Sequence, residues 1–136
     1  MSQSPLMDMK SNALYGLSIV PETLLATTVA ANGLAIDCDN AIGSIHGLFS
    51  CGDVTGTPDS YSATCKLQES TDGSNSWTDL ATQTSLVFTA DSSAGIIRGV
   101  RTKRYVRTVI TPAFVNGTTP TLPATAQVCG QKQIVS

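Results

Sequence analysis

Few residues in this chain are of types that do chemistry at neutral pH, and their spacing forms no reactive constellation. The one histidine is His46 and the cysteines are Cys38, Cys51, Cys65 and Cys129. A histidine base needs an orienting partner and a nucleophile or substrate proton within reach. The local stretch Ser44-Ile45-His46-Gly47 supplies neither. The intervals between cysteines are 12, 13 and 63 residues, with no CxxC pair and no histidine at a ligand spacing, so a four-cysteine zinc site is not expected. Small apolar thiols lining a β core are expected instead. G-x-S-x-G, HExxH, a phosphate-cradling glycine loop and EF-hand spacing are all missing. Enzyme activity is disfavoured, and no cofactor or metal is expected.

The elements that would position these residues read as strands. In Tyr61 to Leu67, Tyr61, Ala63, Cys65 and Leu67 alternate with Ser62, Thr64 and Lys66, the two-residue period of a half-buried strand. Ser70-Thr71-Asp72-Gly73-Ser74-Asn75-Ser76 then supplies turn chemistry, before Trp77 and Leu80 re-enter an apolar face. Leu14 to Ile19 reads as a first strand stopped by Pro21. Thr23 to Ala31 reads as a second, turning at Asn32-Gly33 into Leu34–Cys38. Ala41 to Cys51, broken by Gly43 and Gly47, reads as a bent or bulged strand. Residues 53–59 form a loop. Leu86–Thr89, Ile96–Val100, Arg104–Thr111 and Thr125–Gly130 complete the strands, with a long proline-bearing loop from Phe114 to Pro123. Short strands at this spacing predict a single all-β, antiparallel β-sandwich domain of residues 14–136, jelly-roll-like because long connections alternate with tight hairpins. Residues 1–13 are polar and aperiodic and read as an extended N-terminal arm.

Composition narrows the function. The 136 residues suit one domain. Charged residues are 13% against a usual ~25%, so much of the surface is neutral, as in proteins packed against neighbours. A net charge of −2 argues against a generally basic nucleic-acid binder. No apolar run approaches the ~20 residues that span a bilayer. The N-terminus lacks a basic start with an apolar core and cleavage site, so synthesis in a reducing cytoplasm is expected.

Two motifs invite function. Ser70, Asp72, Ser76 and Trp77 resemble the Asp-box of sialidases, with the glycine one position early at Gly73. In that family the motif braces a hairpin and is not catalytic. Trp77 is accordingly expected in the core, with carbohydrate binding through it as an alternative. Arg98, Arg101, Lys103, Arg104 and Arg107 place five of the eight basic residues in ten positions. They read either as solvated strand ends with weak ion pairs or as a positive patch facing an acidic protein surface.

The succession Lys66–Leu80 (KLQESTDGSNSWTDL), Arg104–Thr111 (RYVRTVIT), a Thr/Pro loop and Ala126–Lys132 (AQVCGQK) resembles the small decoration, or cement, proteins of tailed-bacteriophage heads. The resemblance covers roughly the C-terminal half. It implies a β-sandwich bound in many copies to the outside of the head, bridging major capsid protein subunits. A homodimer is favoured over a trimer, because a sandwich edge strand pairs readily across a two-fold axis. Capsid contacts are then expected in residues 1–20, at 53–59 and at 112–123, with Met7, Met9, Leu14, Tyr15, Arg101, Lys103, Arg104 and Phe114 as the candidates. The alternatives are a carbohydrate-binding module of a phage tail or fibre and a structural tail component that forms rings.

Overall fold

The computed structural model describes residues 13–26 and 30–132. Within them the chain forms ten strands and no helix: β1 (Ala13–Leu25), β2 (Ala31–Asn32), β3 (Ile36–Asp37), β4 (Ala41–Cys51), β5 (Ser60–Ser70), β6 (Thr78–Asp79), β7 (Leu86–Phe88), β8 (Ala94–Gly99), β9 (Tyr105–Val115) and β10 (Leu122–Lys132). Two antiparallel sheets result. One has the order β1-β10-β4-β8; the other places β9 and β5 at its centre, with β2 and β3 along β9 and β6 and β7 along β5. The all-β antiparallel expectation holds. The expected arm, with Met7 and Met9, lies outside the described residues, except that Ala13 already belongs to β1.

Period-two alternation builds the core. Ala63, Cys65 and Leu67 on β5 face inward against Val106 and Ile110 on β9, and Ile45 and Phe49 on β4 meet Ile97, Ala126 and Val128 in one cluster. Ile45, Phe49, Leu67, Ile97, Ile110 and Leu122 are fully buried, and each contributes roughly 1.5–3 kcal/mol through removal from water.

Three prolines do not end strands as expected. β1 runs through Pro21 to Leu25, with register shifts at Leu17/Ile19 and Ile19/Thr23; an outermost strand has one side on which no ladder N–H is needed. β9 runs through Pro112, two residues past the last position paired with β2, and β10 includes Pro123. The loop between them therefore shrinks to residues 116–121. The Asn32-Gly33 hairpin is also corrected. Asn32 pairs with Val109 and Ile36 with Val106, so β2 and β3 are one interrupted strand along the same edge of β9. Thr27–Val29 of the expected second strand lie outside the described residues. Gly43 has a φ of +71° and the β4–β10 register slips between Cys129 and Gln131, in keeping with the bulge expected at β4.

The sheets are joined along both sides. On one, Leu34 N–H donates to Ser18 O (2.7 Å), while the Ser18 hydroxyl donates to Leu34 O (2.8 Å) and accepts from Thr108 N–H (3.0 Å). On the other, Thr84 N–H donates to Arg98 O, and the Thr84 and Thr82 hydroxyls accept from the Arg98 and Val100 N–H groups.

Candidate interaction surface

The basic bend does not form one patch. Arg98 donates to the Ser44 hydroxyl (3.1 Å) on one sheet. Arg107 lies on the other, donating twice to Gln68 Oε1 and covering the Trp77 ring at 4.3 Å from its centroid. Arg101 reaches the carbonyls of Lys103, Asp39 and Ala41. Lys103 donates to the Thr78 hydroxyl, and Arg104 grips Asp37 with two bonds of 3.0 and 2.8 Å. Beneath them Glu69, almost fully buried, accepts from Thr102 N–H (2.7 Å), the Thr102 hydroxyl (2.8 Å) and Lys103 N–H (3.2 Å). These cations chiefly tie loops to strands. The Arg104 hydrogen bond holds the Asp37 carboxyl down at about 2.

Of the remaining candidates, Leu14 is buried in the core and unavailable to a partner. Phe114 is half-buried against Tyr61, ring centroids 6.3 Å apart. Tyr15 is 65% exposed. Trp77 is half-buried under Arg107, not in the core as its spacing suggested. The hairpin brace that the Asp-box likeness anticipated is present: Asp72 Oδ1 accepts from Ser74 and Asn75 N–H and from the Ser70 hydroxyl. The two backbone bonds and the Ser70 hydroxyl hold the Asp72 carboxyl at about 2.

Three of the four thiols line the core. Burial pushes Cys38 up to about 11 and Cys65 to about 12, and raises Cys51 as well. Cys129 departs from that expectation, being part-exposed and directly across the strand pair from His46. On its other side His46 pairs with Arg98. Among the described residues no group of three or more His, Cys, Asp and Glu is arranged to hold a metal ion.

The predicted contact loops come together at the opposite end from the basic bend. Residues 52–59, 89–93 and 116–121 interlock there. Thr55 forms a bridge with Thr121, Thr118 N–H donates to Gly56 O and Ser92 N–H to Gly52 O. Each carboxylate of this crown fastens a neighbour: Asp91 accepts from Tyr61 OH (2.7 Å) and Val54 N–H (3.1 Å), Asp53 from the Ser92 hydroxyl (2.8 Å), and Asp59 from the Asn116 amide (2.6 Å). The Tyr61 bond lowers Asp91, while burial and Asp91 together raise Tyr61. Thr57, Ser92, Asn116 and Thr119 are four of the five non-glycine residues with positive φ among those described. Such backbone conformations cost of order 1–3 kcal/mol each and cluster at functional sites such as ligand clamps and switch regions. The crown carries Asp53, Asp59 and Asp91 and no Lys or Arg. Residue type points to positive φ at Asn116-Gly117 and at Gly56; nothing in the residue types of Thr57 or Thr119 does so.

No protein-family model matches this chain, and no curated protein matches it.

Proposed function

We propose that this chain is a non-catalytic decoration protein, a β-sandwich of jelly-roll wiring that docks by its crown on the outside of an assembled phage head and bridges major capsid protein subunits. The crown carries the reading. The two loops expected to touch a shell, 53–59 and the turn after β9, are fused into one rigid surface with strained backbone and no reactive group. Its lack of cations suits a neutral or basic patch on the partner, which replaces the acidic partner surface expected from the basic bend.

The strand order supports the wiring. Counting β2 with β3, and β6 with β7, as interrupted single strands gives eight strands. Their sheets then run first-eighth-third-sixth and second-seventh-fourth-fifth, the double Greek key of jelly rolls. A ligand of the assembled lattice stabilises it by mass action. Spanning two shell subunits makes the second contact intramolecular, so modest interfaces add to firm retention.

The test is co-sedimentation of the purified chain with empty heads of the phage that encodes it, and with unassembled capsid protein. Retention on heads alone is expected, weakened at least tenfold by Thr57→Arg with Thr119→Arg on the exposed crown. Removing residues 1–12 reports separately on the arm. Equal binding to unassembled subunits, or none to heads, rejects the reading. The carbohydrate alternative has a simple readout in the lone tryptophan: with Arg107 over one face of Trp77, a glycan panel is expected to leave its fluorescence unchanged.

A further inference from the structure

We infer that the outer face of the β1-β10-β4-β8 sheet is a dimer interface, two copies packing face to face about a two-fold axis parallel to the strands. This does not depend on what the crown binds.

The starting observation is a contrast between the two outer faces. On the β9–β5 sheet the outward side chains neutralise one another: Lys66 with Asp79, Gln68 with Asp79 and Arg107, and Arg107 over Trp77. Among the residues whose side chains are described, which leave out 21–24, the other outer face carries no carboxylate. Register places its side chains in two cross-strand rows. One is Tyr15–Cys129–His46–Arg98 and the next is Leu17–Gln127–Leu48–Ile96. The intervening row, Gly16–Val128–Gly47–Ile97, points into the core. Tyr15 is 65% and Ile96 58% exposed, and Leu17 and Leu48 are also exposed.

Edge pairing, the usual route to a β dimer, is obstructed along β8 and interrupted on β1 at Ser18. The Arg98 and Val100 N–H groups of the β8 edge are taken by Thr84 and Thr82, and Ser18 on the β1 edge is taken by Leu34. Obstructed edges are how sheets avoid edge-to-edge growth. The face is the larger continuous surface.

The rows themselves select a second copy as the occupant. Rotation about an axis parallel to the strands, between β10 and β4, lays β1 over the partner's β8 and keeps every row at its own height. Leu17 then meets Ile96 of the partner subunit, and Tyr15 meets Arg98 of the partner subunit, a cation over an aromatic ring. None of the described side chains in these rows is a carboxylate. A two-fold axis across the strands would instead set Arg98 on an aliphatic neighbour. Four strands spaced about 4.8 Å, over about eight residues at 3.3 Å each, present roughly 500 Å² per copy. Doubled, that is about 1,000 Å², the lower bound of specific interfaces, so dissociation in the micromolar range is expected.

Disulfide trapping tests the geometry. Within one chain Leu17 and Ile96 sit on opposite edges, roughly 14 Å apart, beyond the ~7 Å that a disulfide bridges. In a Cys129→Ser background, Leu17→Cys and Ile96→Cys proteins are mixed and treated with diamide, which accepts the two electrons and protons as the S–S bond forms. Covalent dimers are expected in the mixture and not from either variant alone. By sedimentation velocity, the native chain is expected to dimerise and Ile96→Glu to raise the dissociation constant at least tenfold. Monomers at about 200 µM native chain, a hundredfold above a low-micromolar constant, would overturn the proposal. So would Leu17→Cys crosslinking to itself as well as to Ile96→Cys.

Discussion

Glu69 illustrates how single residues set this structure. The alternation Tyr61, Ala63, Cys65, Leu67 continues onto it, so β5 carries a carboxylate to the inward side where burial would ordinarily be costly. The cost is offset because Thr102 and Lys103 bring two N–H groups and a hydroxyl to its oxygens. The alternation was legible in the sequence; the partner, 33 residues away, was not. Glu69→Ala leaves those donors unpaired in a water-poor site and is expected to cost about 3 kcal/mol. For a chain of this length that is roughly a 10 °C fall in melting temperature. Glu69→Gln keeps one acceptor and recovers part of the loss. A melting temperature for Glu69→Ala within about 2 °C of native, well under 1 kcal/mol, would show that the bend is held by other means.

At the scale of elements, strands with clean alternation were readable and their ends were not. β4 was legible over its whole length, Ala41–Cys51, and the Asp72 turn was legible because its bonds span two or three residues. Pro21, Pro112 and Pro123 misled because proline's effect depends on whether its missing donor faces a partner, which sheet order decides. Asn32-Gly33 misled for the same reason: a hairpin signal is local, whereas the partner of Asn32 is Val109. Gly33 is needed there for close approach. A Cβ on it would lie 2.1 Å from the Ser18 hydroxyl and 2.9 Å from the Thr108 carbonyl oxygen. Gly33→Ala is therefore expected to push the β2–β3 edge off β9 and break the Ser18 junction between the sheets, costing about 2–3 kcal/mol. Hydrogen exchange should show faster exchange at Gly33, Leu34 and Thr108, with β5 unchanged. Protection unaltered at all three positions would contradict this account of the junction.

Over the whole molecule, titratable groups serve as fasteners spread across both ends, and that gives stability a defined pH profile. Asp72 braces the hairpin tip and Asp37 the basic bend, each held at about 2. Asp79, under Gln68 and Lys66, and Asp91, under Tyr61, are also lowered. In the unfolded chain such carboxyls take up protons near 4. Between about pH 4 and 2 the unfolded state therefore binds more protons than the folded one, and stability must fall as pH falls. The buried thiols act at the other limb. Cys38 and Cys65 stay protonated when folded up to about 11 and 12, whereas unfolded thiols ionise from about 8.5. Stability is then intact below that value and lost as pH climbs through the folded values. The expected profile is a plateau between about pH 5 and 8 with a decline on each side. Because Asp37 and Arg104 are exposed, their ion pair itself is worth little; it is the summed hydrogen bonds to the carboxylates that steepen the acid limb. Thermal melts followed by Trp77 fluorescence from pH 2.5 to 10 would trace the curve. Asp72→Asn is expected to lower the plateau and shallow the acid decline together, since it removes both the acceptor and its titration. A melting temperature that stayed level from pH 5 down to 2.5 would show that these carboxylates fasten nothing.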